Sequence, residues 1–578
     1  RTLAALLPFW WSAVLFPGAN GASKLTDCRP WASAVRSPLP ALALLLIVAG
    51  LLFFTQLHAP LLEPQEPRYA EIPRQMLAEG RLLMPVLHGQ PYLDKPPLLY
   101  WSVMAAYAIF GVQDWAARLV PALAGVFTVL GAYLWGRRVV GDRAGLCAAL
   151  VLCLSARFIY LERMLTMDCL LCLWTAAGLA CIHVAVVGNR LRRGWWLLSA
   201  AACALGILAK GPVALALIAP PVIAYGFLEP RSARVRLRDW AAYLGVVAAL
   251  AGPWYAAIIA SEPDFAASFF WRHNVVRFVE PFDHAEPAWF FLPPLLLGML
   301  PWTLALPGFL RFLFRRSVRA AARRPPALGF FLLAAGWTVL FFSVSGCKRP
   351  VYILPALPPL ALALGCYLNA LMPTTPLRAS WFALVRRGSR LAYWASLLIL
   401  AAAVGAAAAA AAYHVVKPTT GYGLAGAAVA VMALAVAFRS RVSWPVCMAA
   451  TFAVLFTGVL LLQPAYNRQY TLRNCLRDIP QTPSLPVACY PEMWDSVSFY
   501  LPQAHVRAYG VGQREELLHD LRARPGTLLL VKSGPLLNDL MRQMPDALEF
   551  VRQGRRGAVT ACWVRAAAVP SRGAVAEK

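Results

Sequence analysis

Residues 39–57 read LPALALLLIVAGLLFFTQL, without a single charged side chain. At a rise of about 1.5 Å per residue, a helix of that length crosses the roughly 30 Å of hydrocarbon in a bilayer. The pattern recurs along the chain. Thirteen candidate spans lie near 39–57, 118–136, 144–160, 168–188, 195–209, 211–228, 240–260, 289–314, 328–345, 351–371, 391–413, 421–438 and 443–463. Two of them are short and abut at Lys210-Gly211-Pro212. Residues 98–112 (LLYWSVMAAYAIFGV) are also apolar but short, and they carry Tyr100, Trp101 and Tyr107, the composition of a helix lying at the membrane interface.

Composition agrees. A chain of 578 residues would make about four soluble domains, but 60% hydrophobic and 14% charged residues exclude that reading. The 13 cysteines fall mostly inside apolar stretches, including the close pair Cys169 and Cys172, which suits packing and not redox or metal chemistry.

Lys and Arg outnumber Asp and Glu 54 to 27, a net charge of +27. In a soluble protein this would suggest nucleic acid as the partner. Here the bases concentrate in alternate short loops, at 137–143, 190–193, 229–239, 315–324, 378–390 and 439–441, where the only acids are Asp142, Glu229 and Asp239. The opposite loops invert the balance: 58–117 holds four bases and six acids, and 261–286 two bases and five acids. By the positive-inside rule the basic loops face the cytoplasm, so the excess charge sets orientation and implies no nucleic-acid partner.

With that orientation, the connections 58–117 and 261–288 and the segment 464–578 all lie on the outer face. The first connection contains a short amphipathic helix over Glu71–Glu79. The C-terminal segment alternates β-like runs (487–490, 497–501, 527–531, 558–564) with helical stretches (514–523, 535–543), as a small α/β domain would. Residues 1–38 form an N-terminal extension of unassigned role. The fold expected is thus an all-α polytopic membrane protein, spanning over 39–463, with an extramembrane α/β domain at its C-terminus.

Ionisable residues cluster on the outer side of the spans, most beside Pro, Gly or Tyr: Glu63, Glu66, Arg68, Glu71, Asp94, Lys95, Asp168, Lys210, His273, Arg277 and Lys348. Charges at membrane depth are costly unless paired or functional, so a one-sided cluster marks a candidate site. Lys95, Arg68 and Lys348, with Tyr92 and Tyr352 as hydroxyl donors, suit a phosphate at the membrane surface. A phosphate at that depth implies a lipid phosphate. Glu66 and Asp168 beside it could take a proton from an attacking hydroxyl or stabilise a cationic sugar-like transition state. A secondary transporter also places acids and bases in a cavity, but it would show inverted repeats with matched helix breaks, and the sequence shows no such symmetry.

The string Pro64-Gln65-Glu66-Pro67-Arg68-Tyr69-Ala70-Glu71-Ile72, followed by Tyr92-Leu93-Asp94-Lys95-Pro96-Pro97, resembles the first outer loop of GT-C glycosyltransferases. The likeness is greatest to the bacterial polyprenyl-phosphate-dependent transferases that place 4-amino-4-deoxy-L-arabinose on lipid A. Further matches are Thr166-Met167-Asp168, Ala209-Lys210-Gly211-Pro212, Glu262-Pro263-Asp264-Phe265 with His273, and Lys348-Arg349-Pro350-Val351-Tyr352. The resemblance covers roughly 60–465. It implies a GT-C fold with thirteen spans, surface helices in the first loop, a C-terminal periplasmic domain, an undecaprenyl-phosphate sugar donor, a lipid A acceptor and a place in the bacterial inner membrane as a monomer. It also implies that Lys95, with Arg68, Tyr92, Tyr352 and Lys348, holds the donor phosphate. Glu66 and Asp168 would be catalytic, with Gln65, Glu71, Lys210 and Arg277 as cavity or supporting residues. In relatives Asp94 and His273 occupy positions that can share a divalent metal such as zinc in a structural role; catalysis is not expected to need a cofactor.

One departure matters. Relatives usually have Pro-Asp-Glu where this chain has Pro64-Gln65-Glu66, and an amide cannot act as a base. An acceptor that is itself a phosphate is already anionic and can dispense with one, whereas a hydroxyl acceptor cannot. Transfer of another lipid-linked sugar to a glycan, lipid or protein is the alternative within the same class.

Overall fold

The computed structural model describes residues 37–280, 284–315, 317, 321–372, 390–412, 417–437, 450–461, 471–476, 479, 482, 484–543, 548–556 and 559–566. The N-terminal extension, apart from its last two residues, therefore lies outside the described residues.

Among those residues, six helices are long and apolar enough to cross a membrane: Asp114–Val139, Met167–Val186, Leu237–Ser261, Ala327–Val344, Pro350–Leu371 and Pro418–Ala437. A seventh span results if Ala288–Gly298 and Trp302–Phe314, bent by 99° at their junction, count as one. Shorter apolar helices at Leu39–Phe53, Val213–Leu228, Ser396–Ala412 and Ala450–Leu461 occupy four more of the thirteen expected positions. The shortfall has local causes. The stretch expected to span at 144–160 breaks at Leu154-Ser155 into Asp142–Cys153 and Ala156–Leu161. The helix Arg193–Lys210 stops at Gly211, whose φ of +101° only glycine adopts without strain, and Pro212 starts the next helix.

Small residues let the helices approach closely, as they must where no hydrophobic effect drives association. Gly145 sits where a Cβ would come within 2.5 Å of the Tyr133 carbonyl, so Asp114–Val139 and Asp142–Cys153 form a tight antiparallel pair. Gly365, on Leu357–Leu371, sits as close to the Ala144 carbonyl on the other side, at 2.7 Å.

The first outer loop folds on the helix Gln65–Ala78, which begins six residues before the amphipathic helix expected at Glu71. Pro67 falls in its first turn, where a missing N–H costs nothing, and the price of Pro73 inside it is offset by burial of Tyr69, Ala70, Ile72 and Met76. A two-residue hairpin, β1 (Val86–Leu87) and β2 (Gln90–Pro91), then leads to the helix Leu98–Phe110, which packs on Gln65–Ala78 through Tyr100 and Tyr107.

The C-terminal segment forms a five-stranded sheet in the order β4-β3-β5-β7-β6 from β3 (Pro486–Tyr490), β4 (His505–Ala508), β5 (Thr527–Lys532), β6 (Leu548–Arg556) and β7 (Val559–Ala566). β3 runs parallel to β4 and β5, while β7 is antiparallel to β5 and β6. Of residues 497–501, read from sequence as a strand, all but Leu501 instead belong to a short helix, Asp495–Tyr500. That helix packs on Gln65–Ala78 and ties the sheet to the first outer loop. Asp495 accepts from Arg68 Nε and pairs with His88 Nε2, both at 2.9 Å; Ser496 N donates to Glu63 at 2.9 Å; Tyr500 Oη donates to Asp114 at 2.7 Å. The C-terminal unit and the first loop therefore occupy the same side of the helical bundle.

Candidate active site

A cavity of about 380 Å³ opens where the first loop, the helices ending at Lys210 and starting at Met167, and the segments 267–279 and 345–352 meet. Eight of the residues singled out from sequence line it: Gln65, Asp94, Lys95, Asp168, Lys210, His273, Arg277 and Tyr352. Three segments position them by local conformation. Asp168 sits in the first turn of Met167–Val186, at the positive end of the helix dipole. Lys210 ends its helix just before Gly211 turns the chain. His273 projects from a wide π-helical turn, Ala267–Val276, a conformation that recurs at functional sites.

The electrostatics follow from the cations. Lys95, Lys210, Arg277 and Arg349 line the cavity, and among the described residues Asp94 and Asp168 are the carboxylates that line it with them. Lys210 Nζ donates to Asp168 Oδ1 and lies 4.3 Å from the centre of the Tyr352 ring, so one ammonium is shared between a carboxylate and an aromatic face. Burial, opposed by Asp94 but reinforced by the neighbouring Lys210 and Arg277, pushes the Lys95 ammonium down to about 8. Burial pulls Asp94 upward, but His273 and Lys95 outweigh it and hold this carboxyl below its usual range. Burial, reinforced by Asp168 and opposed by Arg349, pushes the Tyr69 phenol, on the same wall, up to about 12, so it remains a donor. Cations gathered this closely raise the local positive potential, which favours an anionic ligand.

The structure places the other expected residues elsewhere. Glu66, expected as a catalytic carboxylate, faces away from this cavity and is fully buried. Its Oε1 accepts from Arg118 Nε at 2.8 Å and Leu165 N at 2.9 Å, and its Oε2 from Arg118 Nη2 at 2.6 Å and Leu62 N at 2.9 Å. A carboxylate so fully engaged has no lone pair left for a proton transfer; it anchors the loop to the bundle. Lys348, expected at the phosphate, turns the other way and donates to the Glu286 carbonyl at 2.7 Å, while its neighbour Arg349 lines the cavity instead. Arg68 reaches to Asp495 and stays off the cavity wall, with Tyr92 beside it. Glu71 is held inside its own helix by Arg74 Nε at 2.7 Å and Gln75 at 2.6 Å, a support of the loop and not of the cavity.

The sequence reading missed Tyr69 and Arg349. Each adjoins a residue it did choose, Arg68 and Lys348, so the signal was present one position away.

Asp94 and His273 meet directly, Oδ1 to Nε2 at 3.1 Å. Among the described residues no group of three or more His, Cys, Asp or Glu side chains is arranged to hold a metal ion, and two donors already bonded to each other do not make a closed zinc site. Among the described residues these two side chains have no third donor to complete a structural metal site.

A family model described as dolichyl-phosphate-mannose-protein mannosyltransferase matches residues 94–259, the stretch that contributes Asp94, Lys95, Asp168 and Lys210. The chain is 34% identical over 334 residues to an undecaprenyl phosphate-alpha-4-amino-4-deoxy-L-arabinose arabinosyl transferase of Yersinia enterocolitica, covering 56% of this chain and 58% of that protein. It is 37% identical over 342 residues to such a transferase of Sodalis glossinidius, with coverage of 56% and 58%. The match thus spans less than two thirds of these relatives' length. Among solved structures the chain resembles ArnT from Cupriavidus metallidurans bound to undecaprenyl phosphate, with a TM-score of 0.70 and 21% identity over 92% of this chain and 99% of that one. This likeness shows the fold: a multi-pass helical membrane protein built like that structure.

Proposed function

We propose that this membrane protein transfers a sugar, 4-amino-4-deoxy-L-arabinose, from undecaprenyl phosphate to a phosphate of lipid A. The observation that carries the reading is the gathering of Lys95, Lys210, Arg277 and Arg349 around one cavity with Asp168 among them. The relatives' names supply the sugar and the carrier, and the outer placement of the first loop and C-terminal unit supports a site facing the periplasm of the inner membrane, with thirteen spans and a monomeric working unit.

In this mechanism the bond between the sugar anomeric carbon and the carrier phosphate breaks, and its electron pair leaves on the phosphate oxygen. Lys95 and Arg277 stabilise that developing charge, with the Tyr352 hydroxyl as a neutral donor. An oxygen of the acceptor phosphate forms the new bond to the anomeric carbon. The nucleophile is an anion, so no base must deprotonate it, which accommodates Gln65 on the cavity wall. Asp168, held by Lys210, faces the positive charge that builds on the sugar ring as the leaving group departs. The apolar lining from Phe269, Phe278, Phe341 and Phe342 offers a slot for the first isoprene units.

The test is mass spectrometry of lipid A from cells with and without the gene. A gain of aminoarabinose with the gene, accompanied by polymyxin resistance, is expected. An unchanged lipid A with another glycan or lipid newly modified would transfer the reading to a different sugar acceptor.

A further inference from the structure

At the end of the helix Arg193–Lys210 away from Lys210, the loops 187–193 and 229–239 enclose a second basin of about 840 Å³. The 18 residues of that helix put it about 27 Å from the cavity, on the opposite side of the membrane. Arg190, Arg193, Arg234, Arg236 and Arg238 line it. Among the described residues no carboxylate pairs with any of them. Asp239, the one acid on its wall, accepts from the Arg236 backbone N–H at 3.0 Å and caps its own helix. Glu229 beside it is buried and accepts from the Arg231 N–H at 3.3 Å.

Orientation by the positive-inside rule needs bases in the loop; it does not need them in one concave place. Here the backbone gathers them. Val187 and Ser232 form an isolated antiparallel bridge, Ala233 N donates to the Val186 carbonyl at 2.8 Å, and Arg192 N to the Ala185 carbonyl at 3.0 Å. The two loops are thereby fixed side by side, and both the helices that leave the basin, Arg193–Lys210 and Leu237–Ser261, start there with their positive ends toward it. Directly beneath lies an aromatic cluster, with Trp196 at 4.9 Å from Trp240 and 5.3 Å from Tyr243, ring centre to ring centre. Trp196 and Tyr243 are fully buried, so this cluster forms the packed floor of the basin.

We propose that this basin binds the phosphodiester headgroup of an anionic phospholipid in the cytoplasmic leaflet. Arginine forks match phosphate oxygens in pairs, and five of them around one basin favour a headgroup with two phosphates over one. This rests on the orientation proposed above, and the same chemistry would also receive a free phosphate or pyrophosphate.

The experiment uses the full-length protein, delipidated in detergent, with cardiolipin, phosphatidylglycerol or phosphatidylcholine added and retention read by native mass spectrometry. Wild type should hold cardiolipin and phosphatidylglycerol at least about tenfold more tightly than phosphatidylcholine. Arg190→Gln, Arg193→Gln and Arg234→Gln combined should erase that preference, and Lys at the same three positions should restore part of it. Should the combined Gln variant fail to fold, Arg234→Gln alone should still cost about threefold. Equal retention by wild type and variant, or no anionic preference in wild type, overturns the site. Inorganic pyrophosphate binding as tightly as cardiolipin in the absence of lipid overturns the lipid source. Arg192→Cys should label with a membrane-impermeant thiol reagent only from the cytoplasmic side; labelling from outside overturns the orientation and leaves the lipid result readable.

Discussion

Arg68 of the first outer loop and Asp495 of the C-terminal unit form an ion pair at 2.9 Å across 427 residues of sequence. Asp495 is buried and also holds His88, so one carboxylate fastens two points of the loop whose next turns carry Tyr69 and Lys95 to the cavity. Asp495→Ala should therefore lower turnover without touching substrate. Because the Arg68 end is partly exposed, the loss of stability should be about 1–2 kcal/mol, read as a lower unfolding temperature in detergent. Activity and stability both unchanged would leave the C-terminal unit without influence on the site.

Lys95→Ala should abolish transfer while the protein still extracts and unfolds as a single species. Normal turnover in that variant would remove the donor phosphate from the account.

The pH dependence of donor binding should follow Lys95. Its ammonium is held down to about 8 in the free cavity, well below an ordinary lysine. The cation is thus present below pH 8 and lost as pH rises through that value, so affinity for undecaprenyl phosphate should be full at neutral pH and fall above it. Lys95→Arg should flatten that fall, since a guanidinium stays charged. A binding profile flat through pH 8 in the wild type would show that Lys95 does not meet the phosphate.

Asp168→Asn keeps a partner for Lys210 but removes the negative charge. It should reduce kcat by about 100-fold or more and change the donor KM little. A change confined to KM would make Asp168 a support for Lys210.

Gln65 and Glu66 separate the site from its scaffold. Gln65→Asp should leave transfer to a phosphate acceptor near the wild-type rate, and a large gain would show that the acceptor needs a base. Glu66→Gln strands the buried Arg118 guanidinium and should destabilise the fold by about 3–5 kcal/mol, a loss visible in thermal unfolding whatever the activity. A stable Glu66→Gln variant with selectively lost turnover would return Glu66 to catalysis.

Much of this arrangement was legible because a bilayer makes ionisable residues conspicuous. Lys95, Asp168 and Lys210 stand out in apolar surroundings, and each faces the cavity. What sequence could not resolve was direction. On a helix, Gln65 and Glu66 point about 100° apart, so the same string puts one into the cavity and the other into an ion pair with Arg118. Lys348 and Arg349 repeat the ambiguity at the turn before Tyr352. Residues 497–501 carry the Val, Phe and Tyr of a strand, yet they wind into a helix because their apolar face docks on Gln65–Ala78, a partner more than 400 residues away in the chain. The edge strand β4, largely exposed at His505–Ala508, left no apolar alternation to read.

Lys210 is tied to Asp168 and rests on the Tyr352 ring, two protein contacts that need no ligand. On the proposed function the spent carrier keeps the same phosphate that the loaded one presents, so added undecaprenyl phosphate should compete with the donor and slow transfer.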